Sequence, residues 1–234
     1  FQIGGYDYDS LDLTKIPNEF HHVLRQNMIK NQPKSSSENT YVPYGYVYVP
    51  GADSTTSESH STANYKGRAT LLALIRTLRT FPGCENLKIL DLKTETAVRE
   101  TYRIDGLYKI THDDYLAGKV FEDAISNSFY PIDLHREGKT IYQEFLEQNV
   151  VASIPLRALI PKKSKNFLVA GRCVSSDRMA NSALRVQASS MGMGQAAAAA
   201  AVLANNLGVS PHDVPIEDLK KLLRNHGGIL PLRT

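Results

Sequence analysis

Six consecutive alanines, residues 196–201, follow directly on Gly192-Met193-Gly194-Gln195, and no other stretch constrains the fold as strongly. Alanine is the best helix former, and a run of small side chains lets a helix lie very close to a neighbouring layer. Ser189 and Ser190 just before it are cap-type residues, so the helix is expected to begin there. The unpaired N–H groups and partial positive charge of such a start suit the electron-rich edge of a ligand, a carbonyl or a phosphate. They equally suit a helix that is merely packed tightly, and the residues alone leave both readings open.

The rest of the chain divides unevenly around this feature. Residues 17–30 place Phe20, Val23, Leu24 and Met28 at helical spacing behind a proline, and a polar loop, 31–39, closes the helix. Residues 41–50 set Tyr44, Tyr46 and Tyr48 on one side of a strand, suited either to sheet packing or to a ring-shaped ligand. Residues 52–61 read as a polar surface loop, after which Thr62 caps a helix carrying Leu71, Leu72, Ile75 and Leu78 that Phe81-Pro82-Gly83 stops. Strands are expected at 87–92 and 98–104, and at 107–110 beyond the Asp105-Gly106 turn signal. This is a β-rich layer with helices, not a βαβ array. From residue 150 the pattern changes to extended chain at 150–160, a buried-type strand at 166–171, an irregular loop and the small-residue helix.

Composition narrows the function classes. Net charge is +3 without long basic runs, which gives little electrostatic reason to expect nucleic acid or an anionic membrane as partner. The longest apolar stretch, 196–204, is mostly alanine and falls short of the ~20 residues that span a bilayer. Cys84 and Cys173 do not make a disulfide framework. The 7 histidines lack metal-ligand spacing, and no metal site is expected. Neither a nucleophile elbow nor a Walker loop is present. Gly192-Met193-Gly194-Gln195-Ala196-Ala197 fits a loose dinucleotide pattern, but no strand leads directly into it and no ribose-binding acid follows, so the match is read as coincidental.

A longer pattern is specific. Asn166-Phe167-Leu168-Val169-Ala170-Gly171-Arg172-Cys173, then Ala183-Leu184-Arg185-Val186-Gln187 and Met191-Gly192-Met193-Gly194-Gln195-Ala196-Ala197, resembles the C-terminal signature of a family of FAD-dependent oxidoreductases. The likeness extends upstream through Val98-Arg99-Glu100-Thr101-Tyr102-Arg103-Ile104-Asp105-Gly106, Thr111-His112-Asp113-Asp114 and Tyr130-Pro131-Ile132-Asp133-Leu134-His135, and downstream to a terminal helix at 219–227. It covers residues 62 to the end, with 1–61 matching loosely. Ala198 stands where the family often has glycine.

The resemblance implies a mixed α/β and α+β fold: a partial FAD/NAD(P)-binding-like three-layer domain beside a β-rich substrate-side domain. Residues 1–149 would form the substrate-side region, 150–208 the C-terminal part of the FAD-binding domain, and 209–234 a helical extension. Family members carry an N-terminal glycine-rich βαβ unit that holds the ADP portion of FAD, and these 234 residues contain none. The chain begins with Phe1 rather than methionine, so the native N-terminus is expected upstream. The missing half would lie on the same chain or on a separate one, as in a split flavoenzyme.

By the same resemblance Gly171 and Arg172 lie beside the FAD pyrophosphate and ribityl chain, Ser190, Met191 and Gly192 aim helix N–H groups at the flavin pyrimidine edge, and Arg185, Ser189 and Gln195 are further cofactor candidates. For Arg172 a surface ion pair is the competing reading. A flavin acting on a small polar organic substrate by hydride transfer needs a proton acceptor, and His135 is the candidate. Arg99 and Arg103 share a face with Thr101 on the expected strand, suited either to a carboxylate or hydroxyl-rich substrate or to ion pairs with Glu100 or Asp133. A carbohydrate-binding module built on Tyr44, Tyr46 and Tyr48 is the non-enzymatic alternative. Substrate, electron acceptor and compartment stay open.

Overall fold

A computed structural model describes residues 1–27, 49, 51–134 and 142–231. The chain forms two compact units, Phe1–Val98 and Arg99–Thr234, so residues 150–208 and 209–234 both lie within the second.

In the first unit strand β1 (Gln2–Gly4) pairs antiparallel with β2 (Lys88–Asp91), with Ile3 opposite Ile89. Among the described residues it also contains helices α1 (Asn18–Asn27) and α2 (Ser57–Leu78). Leu24 of α1 and Leu71, Ile75 and Leu78 of α2 repeat every three to four residues and join Phe1, Ile3, Ile16, Cys84 and Leu87 in one core. Helix α2 starts five residues before the expected Thr62 cap. Thr56 and Ser59 close a reciprocal capping box there, with Glu58 in the first turn, so much of the expected polar loop is helix. The Tyr44, Tyr46, Tyr48 face lies outside the described residues.

The second unit mixes short antiparallel ladders with helices, as the class expected from sequence requires. Strand β3 (Ala124–Ser128) pairs with β6 (Ala152–Pro155), and β4 (Ile132–Leu134) pairs with β5 (Tyr142–Glu144). Its helices are α3 (His112–Leu116), α4 (Arg178–Leu184), α5 (Gln187–Leu207) and α6 (Ile216–Asn225). Ser189, Met193, Ala196, Ala200 and Ala204 form the buried stripe of α5, which packs on β3 and α6. Gly192 is part of that contact: a Cβ there would run into Ser126 Oγ and lie 3.1 Å from Ser126 Cβ. The glycines of the loose dinucleotide string are therefore residues of a helix interior and not of a turn.

Three expected strands are not ladders. Residues 98–104 and 107–110 run as irregular chain held by scattered bonds, including Ile104 N–H to Cys173 O (2.9 Å), Leu107 N–H to Ile160 O (2.9 Å) and Ile110 N–H to Ser175 O (3.1 Å). Further bonds, Tyr108 N–H to Arg157 O (3.2 Å) and Asp177 N–H to Ile110 O (2.8 Å) among them, give isolated bridges at Gly106–Pro161 and Ile110–Ser176, and no continuous ladder forms. Residues 166–171 also form no strand. Among the described residues this stretch is tied by Val169 N–H to Leu159 O (2.8 Å), and Phe167 is 58% exposed.

Candidate functional site

The candidate cofactor residues gather where the chain passes from residue 166 through α4 into α5. Gly171 has φ +90°, a conformation that favours glycine, and turns the chain so that Val174 N–H reaches Gly171 O at 3.0 Å. A Cβ on Gly171 would lie 3.9 Å from Ser190 Oγ, so the glycine turn sits beside the first turn of α5. Asn181 of α4 fixes the loop from within, its side-chain amide donating to Arg172 O (3.0 Å) and Ser176 Oγ (3.2 Å). Asn181 Oδ1 is buried without a hydrogen-bond partner among the described residues.

Asp177 joins two elements at this point. One carboxylate oxygen caps α4 through Ala180 N–H (2.8 Å), and the other accepts from His112 N–H (2.6 Å) at the start of α3. After α4 the chain breaks at Arg185 and Val186, and α5 begins at Gln187 with Val186 as its cap residue. The helix thus opens before the expected serine cap. Ser190 N–H already bonds to Val186 O (2.9 Å), and helix geometry leaves Gln187, Ala188 and Ser189 as the leading amides. Gln187 and Ala188 are exposed, as is Met191, whereas Ser189 is buried.

The Ser189 hydroxyl belongs to a buried chain. Tyr115 O–H donates to Tyr130 O (2.7 Å), which can only accept, so Ser128 Oγ (2.9 Å) must donate to Tyr115 and Ser189 Oγ (2.9 Å) must donate to Ser128. Burial pushes the Tyr115 phenol up to about 12 and keeps it protonated, which holds this polarity. The chain fixes the first turn of α5 against β3.

Arg185 is placed differently from Gly171 and Arg172. Its side chain is 8% exposed, with Nη1 3.1 Å from Glu100 Oε1 and Nη2 donating to Asp133 O at 3.0 Å. Burial lowers its pKa, with Glu100 opposing, and the guanidinium stays charged. Glu100 also receives Arg178 Nε at 3.0 Å. The Glu100 carboxylate therefore pairs with α4 and the residue that ends it. Arg99 is exposed and Arg103 half-buried on a segment that is not a strand, and Arg99 is near enough to help lower the Arg185 pKa. Gln195 lies further along α5 and donates to His226 O (3.1 Å), tying α5 to the end of α6. His135 lies outside the described residues.

The structure also brings together a pair that sequence reasoning missed. His112 Nε2 is 2.8 Å from Glu144 Oε2, which accepts from Tyr142 O–H at 2.9 Å. His112 and Glu144 are 32 residues apart, and only the Thr-His-Asp-Asp string marked the histidine. Among the described residues no group of three or more His, Cys, Asp or Glu side chains is placed to hold a metal, Cys84 and Cys173 are free, and no helix is long and apolar enough to cross a membrane.

A family model described as FAD dependent oxidoreductase matches residues 6–223. No curated protein and no solved structure matches the chain.

Proposed function

Because the chain belongs to the FAD-dependent oxidoreductase family, with FAD as the cofactor and redox chemistry as its class, we propose that it acts on a small polar organic substrate by hydride transfer, residues 150–208 forming part of a FAD-binding-like three-layer domain. The observation that carries the reading is the glycine turn at Gly171, in left-handed conformation, beside Ser190 in the first turn of α5. A Cβ-free backbone next to accessible helix amides fits a phosphate-bearing, electron-rich cofactor.

In this reading FAD, when bound, supplies an isoalloxazine ring able to take up a hydride equivalent. Gly171 lets the backbone approach the cofactor, and the exposed Arg172 guanidinium offsets pyrophosphate charge. The leading amides of α5, at Gln187 to Ser189, take the role that the resemblance gives to Ser190, Met191 and Gly192, because Ser190 N–H is committed within the helix. Arg185 positions the loop before α5 through Glu100 and Asp133 instead of touching the cofactor. His135 accepts the proton released from a substrate hydroxyl, and Arg99 and Arg103 receive its anionic or hydroxyl groups.

The ADP half of FAD is held by a glycine-rich unit outside these 234 residues, on the same chain or a separate one. Two features support this: the sequence contains no glycine-rich βαβ signature of the kind that family members carry, and the apolar run 167–170 leaves Phe167 and Ala170 exposed. Titrating the 234-residue chain with FAD tests the point. Binding weaker than about 1 μM is expected, and tighter binding overturns it.

A further inference from the structure

We propose that His112 and Glu144 form a pH-sensitive latch that fastens the β4–β5 hairpin to the start of α3. Both ends of the latch are held in place. The His112 backbone is fixed to α4 by its N–H bond to Asp177 Oδ2, and the Glu144 carboxylate is aligned by Tyr142 O–H on the same strand. The imidazole then spans the gap, with Nε2 donating to Glu144 Oε2 at 2.8 Å. Strands β4 and β5 have three residues each, so their ladder contributes few bonds, and one charge-assisted hydrogen bond is a large share of what holds β5 down. The His112 and Glu144 side chains are 30% and 31% exposed, which leaves the site open to exchange protons with solvent.

The charged groups around His112 are acidic. Glu144 and the Tyr142 phenol face it from β5, Asp177 from the cap of α4, and Asp113 from α3 itself, with Oδ1 3.4 Å from Nδ1. The Glu144 hydrogen bond lifts the His112 pKa above its ordinary value, Asp113 and Asp177 adding to the effect while burial opposes it. The Glu144 pKa is lowered in turn, by His112 first and Tyr142 second. The His112 contribution is complete below 6.5 and is lost as pH rises through the raised value; that of Glu144 is complete above 4.5 and is lost as pH falls through the lowered one. The latch is firmest between those limits and loosens at alkaline pH.

The hairpin passes the effect on. Asp133 of β4 donates its N–H to Ser182 Oγ (3.0 Å) and accepts from Arg185 through its carbonyl (3.0 Å). Protonation of His112 therefore acts on the residues leading into α5, whether or not a flavin is bound there.

Imidazole NMR titration and hydrogen exchange on the chain test the latch. His112, assigned with His112→Gln, is expected to titrate above 6.5 and to return toward it in Glu144→Gln. Between pH 6 and pH 8.5 the protection factors of β5 amides should fall about fivefold relative to those of α6, as a charge-assisted bond becomes a neutral one, and Glu144→Gln should abolish that step. A His112 titration at 6.5 or below, or β5 protection that does not change across this range in the unsubstituted chain, overturns the proposal; the second result does not depend on a variant folding.

Discussion

Gly192 of α5 faces Ser126 of β3 so closely that no side chain fits between them. A helix of six alanines is free to press on a sheet, but here one position has no room even for a methyl group. Gly192→Ala is expected to destabilise the chain by about 1–3 kcal/mol through overpacking. Ser126→Gly in the same chain should recover part of the loss, and urea unfolding of the two single variants and the double variant gives the coupling. Additive effects would show that Ser126 is not the obstacle.

Glu100 is the carboxylate partner of the buried Arg185 guanidinium, and Arg178 meets the same carboxylate from an exposed position. Glu100→Ala strands a buried charge and is expected to cost about 2–4 kcal/mol, whereas Arg178→Ala should cost less than about 1 kcal/mol. Equal losses from the two substitutions, measured by thermal or urea unfolding, would contradict this ordering.

Asp114 closes the capping box of α3, accepts from Tyr108 O–H at 2.7 Å and meets Lys119 Nζ at 2.7 Å. Burial opposes its ionisation, but the bonds from Lys119, Tyr108 and Thr111 prevail and bring its pKa to about 2. A depressed carboxylate stabilises above its unfolded value and loses that contribution as pH falls through the folded one. About 2 kcal/mol should therefore disappear between pH 4 and pH 2, and Asp114→Asn should remove most of that slope. An unchanged acid limb in the variant would place the stabilisation elsewhere.

Gly171 offers a test at the candidate cofactor site. Gly171→Ala forces a side chain into the left-handed region at a cost of about 1–2 kcal/mol and adds a Cβ beside Ser190. In the native-length gene product, flavin retained through purification should fall in Gly171→Ala and in Arg172→Ala, the latter with stability nearly unchanged. Full retention in both would remove these residues from the cofactor site.

Sequence legibility followed periodicity. Helices α2 and α5 carry repeating apolar or small residues over ten or more positions, a pattern local enough to read, whereas α6 was expected through the family resemblance alone. Residues 98–104 alternate like a strand, yet their alternation is used by Glu100, which turns to Arg178 and Arg185 instead of to a neighbouring ladder. The Phe-Leu-Val-Ala run at 167–170 reads as a buried strand, but burial depends on what lies beside it, which its own composition does not reveal. Strands β3, β4 and β5 are three to five residues long and contain Ser, Asn, Asp and Glu, too short and too polar to announce themselves. At the site, Gly171 was expected at the end of a strand and marked only through the family resemblance; its left-handed turn came from the structure. The tertiary partner of Arg185 and the pairing of His112 with Glu144 were not legible, since each joins residues far apart in the chain.

The most direct test of the central claim is the visible spectrum of the native-length gene product as purified. Oxidised-flavin bands that bleach on reduction are the predicted result; a colourless protein that also fails to bind added FAD would contradict the account.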